Sequence, residues 1–102
     1  MGKYLFAYAG GSMAETPEAQ EASMKAWMSW FEGLGSAVVE VGAPFGPSTA
    51  VKANGSTGST TTGLSGYSVI QADTLELAAK LAGDCPVLAN GGTVEVYESL
   101  PM

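Results

Sequence analysis

The chain of 102 residues contains no histidine, no arginine and a single cysteine. Without histidine there is no imidazole base near neutral pH, no imidazole metal ligand, and no Ser–His or Cys–His nucleophile. One cysteine excludes an internal disulfide and a thiolate zinc cluster. Only an all-oxygen metal site remains open, and no DxDxDG-type loop is present. Positive charge is also scarce. Four lysines stand against ten acids, for a net charge of −6. Nothing here can neutralise a run of phosphates, so neither nucleic acid nor an anionic membrane surface is an expected partner. No apolar run approaches membrane-spanning length. The N-terminal "KYLFAYA" is too short for a signal-peptide core, and with the lone Cys85 a cytoplasmic protein is expected. No cofactor is expected: the glycine-rich stretches at 10–12 and 55–59 lack the lysine and spacing of a phosphate loop.

Hydrophobic residues make up 46% of the chain, enough for a real core in one small domain over 1–102. Residues 3–9 read as a strand, bounded by Gly10 and Gly11. Residues 16–34 read as a helix with Thr16 as N-cap and Pro17 in its first position. Met24, Trp27, Met28, Phe31 and Leu34 form its apolar stripe. Trp27 is expected in the core, and Trp30 against the C-terminal segment or a partner chain. A second strand, 36–41, runs into "GAPFGP", whose glycines and prolines break regular structure. A hairpin insert at about 43–64 turns at Asn54-Gly55. A third main strand, 66–72, leads to a helix capped by Asp73, with Glu76 completing a variant capping box. Leu77, Ala78 and Leu81 centre that helix's stripe, and Gly83 ends it. One helical turn is expected after Pro86, then a last strand at 93–98.

Two βαβ halves around a hairpin predict an α+β, ferredoxin-like fold: an antiparallel sheet with two helices on one face. The third and last main strands flank the first, with the second at the edge. Strict alternation directs Leu5, Ala7, Val39, Val41, Val94 and Val96 at the helices. Phe6, Tyr8, Val38, Glu40, Tyr67, Val69, Glu95 and Tyr97 then share the other face. That face is too aromatic to stand alone in water, so a sheet-to-sheet homodimer is expected, with room for a central cavity.

The order "KYLFAY", the Trp-rich capped helix, "GAPFGPSTAV", "GYSVIQADTLELAAKLAGDCP" and "GGTVEVYE" resembles the YCII-related (DGPF-type) domain family over nearly the whole chain. The resemblance implies a ferredoxin-like domain that pairs as a dimeric α/β barrel. It also implies small-molecule chemistry at a His–Asp pair. With no histidine that pair cannot exist here, and "TTGLSG" stands where the Asp-Gly-Pro-Phe motif is expected.

Among the chain's own residues, Glu40 and Glu95 are the candidate catalytic groups, since a carboxylate beside aromatic rings can work as a proton shuttle. Tyr8, Phe45, Tyr67 and Tyr97 are the candidate ligand-binding residues. Cys85 reads as a structural thiol. Three functions follow: a homodimeric small-molecule-binding domain, an isomerase-like or hydrolytic enzyme of the same build, or a module whose only task is association.

Overall fold

Residues 2–10 and 16–100 are described by the computed structural model. Gly11, Ser12 and Glu15, which belong to the first glycine-rich stretch and its acidic flank, lie outside them. The strands are β1 (Gly2–Ala9), β2 (Val38–Pro44), β3 (Ala50–Val51), β4 (Thr57–Gly58), β5 (Leu64–Ala72) and β6 (Thr93–Ser99). The helices are α1 (Pro17–Leu34), α2 (Leu75–Ala82) and α3 (Pro86–Ala89). Four strands form one antiparallel sheet in the order β2-β5-β1-β6, while β3 and β4 make a separate two-stranded hairpin. This α+β order is consistent with the expected ferredoxin-like interleaving. No described helix is long and apolar enough to cross a membrane.

Local chemistry sets the element ends. Thr16 Oγ1 accepts from the Ala19 amide at 3.1 Å, and Pro17 follows at the first helical position. Gly35, at φ +56°, stops α1. The cap of α2 is Thr74 and not Asp73, for Thr74 Oγ1 accepts from the Leu77 amide at 3.1 Å. Glu76 therefore sits one position earlier than a capping box requires, in the first turn, where its charge still suits the helix dipole.

The helix face of the sheet carries Tyr4, Phe6, Tyr8, Ile70 and Ala72, which pack with Trp30, Ala78, Ala82, Cys85 and Val87 in one core. Val38, Val94 and Val96 pack against it. The expected faces of β6 and β5 hold, but that of β1 is reversed. Phe6 pairs with Val96 and Tyr8 with Val94, so the aromatic set of β1 shares the valines' face. Leu5 and Ala7 occupy the outer face, beside Tyr97 and Glu95.

β2 departs from alternation twice. Its register slips between Val38 and Glu40 and again between Glu40 and Ala43. Val38 opposite Ile70 thus faces the core, while Glu40 opposite Val69 faces outward. Val39 and Val41, expected inside, are exposed. The second slip is built on Gly42, whose φ is +79° and whose absent Cβ would lie 1.9 Å from the Tyr67 carbonyl oxygen. Trp30 is the buried residue of α1, whereas Trp27 is half-buried and Met24 and Met28 are exposed. The helix presses on the sheet mainly through its C-terminal half.

Gly42→Ala is expected to destabilise the fold by more than about 2 kcal/mol, through both strain and clash. Gly33→Ala, which adds a methyl to open space on α1, is expected to raise stability by up to about 1 kcal/mol. Urea unfolding of the two variants checks both signs.

Candidate functional site

The candidate residues fall on two sides of the sheet. On the outer face Tyr67 Oη donates to Glu40 Oε1 at 2.7 Å, and Tyr97 Oη donates to Glu95 Oε2 at 2.5 Å. Phe45, stationed by its amide's bond to the Ser65 carbonyl, stacks on Tyr67 with centroids 5.8 Å apart. Between the two Tyr–Glu pairs run Ala7, Leu5 and Val69. Each phenol's pKa is raised, first by its hydrogen bond to the carboxylate and then by that carboxylate's charge. The phenols are therefore protonated donors at neutral pH, and the glutamates accept.

Glu40 and Glu95 do not form a pair. They stand on β2 and β6, the two edges of the sheet, with β5 and β1 between. Three interstrand spacings of about 4.8 Å put at least roughly 14 Å between their backbones, and Glu95 is also two residues along β6 from Tyr97, which is level with Glu40. Within one copy each carboxylate works with its own tyrosine.

Tyr8 is on the opposite side. Its ring meets Trp27 edge-on at 5.0 Å and Trp30 at 6.4 Å. Its hydroxyl donates to Ser68 Oγ at 2.7 Å, and Ser68 Oγ donates on to the Val41 carbonyl at 2.6 Å. The bulge at Gly42 makes this chain possible by releasing the Val41 carbonyl from the regular ladder. Burial pushes the Tyr8 phenol well above its ordinary value, the largest influence on it, so it stays neutral. Beside it a cleft of about 510 Å³ opens between α1 and the β2–β5 side of the sheet. Trp27, Met28, Phe31, Val41, Tyr8 and Ser68 are among its lining.

No family model matches the chain, and no curated protein is significantly similar to it. What the site can do has to be read from its own geometry. Among the described residues no three His, Cys, Asp or Glu side chains gather to hold a metal. Cys85 is buried at the start of α3, and burial pushes its thiol up to about 11. It is a protonated core residue at neutral pH.

Sequence reasoning brought Tyr67, Glu40, Glu95 and Tyr97 to one face correctly, but it joined Tyr8, Phe6 and Val38 to them, and these three pack on the core side. It missed Ser68, Met24 and Met28 as parts of a site. The signal for Ser68 was its place in step with Gly66, Ile70 and Ala72, a polar residue at core parity. For the methionines no signal was available, since their spacing matches a core stripe.

Glu40→Gln and Glu95→Gln are each expected to return one tyrosine toward the ordinary pKa of 10.0. Ultraviolet titration of the phenolates reads the shift, and unchanged curves would break the pairing. Stability should fall as pH rises from 9.0 toward about 11, because the unfolded Cys85 ionises there while the folded thiol keeps its proton. Cys85→Ala should flatten the part of the melting-temperature curve nearest pH 9, below the range where tyrosines ionise.

Proposed function

We propose that the protein is a homodimeric small-molecule-binding domain, a divergent relative of the YCII-related domains, that works in a reducing compartment such as the cytoplasm. The observation that carries the dimeric part of the reading is the outer sheet face, and the cleft beside Tyr8 supports the small-molecule part. Tyr97 and Phe45 are 54% and 46% exposed on that outer face, and they continue into the half-buried Leu5, Val69 and Tyr67 across the strands. Such a patch lowers its free energy when covered, by roughly 25 cal/mol per Å² of apolar surface removed from water. A second copy is a suitable cover. Both tyrosine hydroxyls already have partners on their own chain, so closing the face strands no donor. The strand order and the helices' confinement to the other side support the YCII-related reading, because they leave this face free for a sheet-to-sheet contact.

Each copy brings a charge of −6 to the association. Like-charge repulsion opposes the dimer and salt screens it, so affinity should rise between 0.05 and 0.5 M salt, over which the Debye length falls to a few ångströms. Sedimentation equilibrium at micromolar concentration is expected to show a dimer that tightens with salt. Leu5→Lys, placed on the patch and outside the core, should yield a folded monomer. A wild-type monomer in both salts would overturn the dimer, and Phe45→Ser with unchanged affinity would remove Phe45 from the contact.

A further inference from the structure

The cleft on the helix side of the sheet contains no charged side chain among its lining residues, and its volume of about 510 Å³ suits a molecule of one or two fused rings. Its mouth is flanked by Met24 and Met28, which are 65% and 60% exposed. Two flexible thioethers held in water beside aromatic walls stabilise little in the empty protein. They can close over a flat guest, since thioethers pack well on rings.

The floor has a polarity fixed by the hydrogen-bond chain. Ser68 Oγ spends its proton on the Val41 carbonyl, so it must accept from Tyr8, and the Tyr8 hydroxyl spends its own proton on Ser68. Tyr8 Oη then has lone pairs but no proton to give, and among the described residues nothing donates to it. The floor therefore offers an acceptor. A charged ligand would lose its hydration against apolar walls without a counter-charge.

We propose that this cleft binds a neutral, mainly apolar ring compound carrying one hydrogen-bond donor, which is directed at Tyr8 Oη. The walls take the rings between Trp27 and Phe31 on α1 and Val41 on β2, and the Tyr8–Ser68–Val41 chain selects the donor. The assignment names the ligand class for the small-molecule part of the proposed function and rests on that reading, but not on the dimer, which uses the other face.

Indole and benzofuran are the probes, because the two bicycles are nearly the same shape and differ in the ring N–H, which benzofuran replaces by an oxygen that donates nothing. In two-dimensional amide NMR of the full chain, indole is expected to shift Gly42, Gly66 and Ser68. Benzofuran should bind about tenfold more weakly, the worth of one hydrogen bond. Tyr8→Phe should bring the two probes to equal affinity by weakening indole alone. Met28→Lys, at an exposed position, should weaken both probes without loss of fold, and it keeps the test intact if Tyr8→Phe does not fold. Equal affinity of the two probes for the unaltered protein would overturn the acceptor role. Absence of shifts in the cleft, or shifts confined to Tyr97 and its neighbours, would overturn the site. In the latter case small-molecule binding itself survives, on the outer face. Cleft binding by a monomer would uphold the site while removing the dimer.

Discussion

Trp30 is the contact on which the layers of this domain depend. Its ring stacks on Phe6 of β1 at 6.2 Å and meets Phe31 of its own helix at 4.9 Å. Its indole N–H donates to the Leu81 carbonyl at 3.2 Å. That carbonyl is one of the four at the C-terminal end of α2 that have no partner within the helix. One side chain thus ties α1 to the sheet and α1 to α2, and it satisfies a helix end at the same time. Large aromatic area with one polar handle suits this position, where a purely apolar residue would leave the carbonyl without its bond.

The cleft follows from the same arrangement. Because α1 is held near its C-terminal half by Trp30, Phe31 and Leu34, its middle turns lean over the β2–β5 side with Met24 and Met28 still in water. The bulge at Gly42 shapes the opposite wall and frees the Val41 carbonyl to end the hydrogen-bond chain from Tyr8. A backbone irregularity, a buried serine and an incompletely packed helix together make a polar point on an apolar floor. The outer face has a different logic. There the polar atoms pair among themselves and leave a smooth apolar band, which suits coverage by a large flat partner more than capture of a small one.

Much of the fold was legible because it is written in local signals. Thr16-Pro17 starts α1, the Asn54-Gly55 turn closes the β3–β4 hairpin, and Gly83 ends α2. Period-two alternation in "TVEVYE" placed Val94 and Val96 inside correctly, since one of its faces is plainly polar. The candidate site was legible in part. Tyr67, Glu40, Glu95 and Tyr97 were rightly placed outside, while Tyr8 was not. Beyond Lys3 at its start, both sets of β1 side chains are apolar, aromatic at even positions and aliphatic at odd ones, so alternation gives the strand little direction, and exposed Lys3 is the one residue that marks the odd face as outer. In α1 the three- and four-residue spacing marked a stripe rotated part of a turn away from the true contact, and Trp30 rather than Trp27 became the buried ring.

The sequence by itself determined the kind and order of the main elements, the strand order that two βαβ halves produce, and the absence of imidazole, internal-disulfide and basic-patch chemistry. Those follow from residue types and from contacts a few positions apart. Only the tertiary structure decided which face of β1 meets the helices and how β2 changes phase on its way past β5. Pairing Phe6 with Val96 and slipping β2 at Val39 and Gly42 are agreements between segments tens of residues apart. They are settled by which set of side chains fills the space under Trp30, a property of the assembled core and of no single strand.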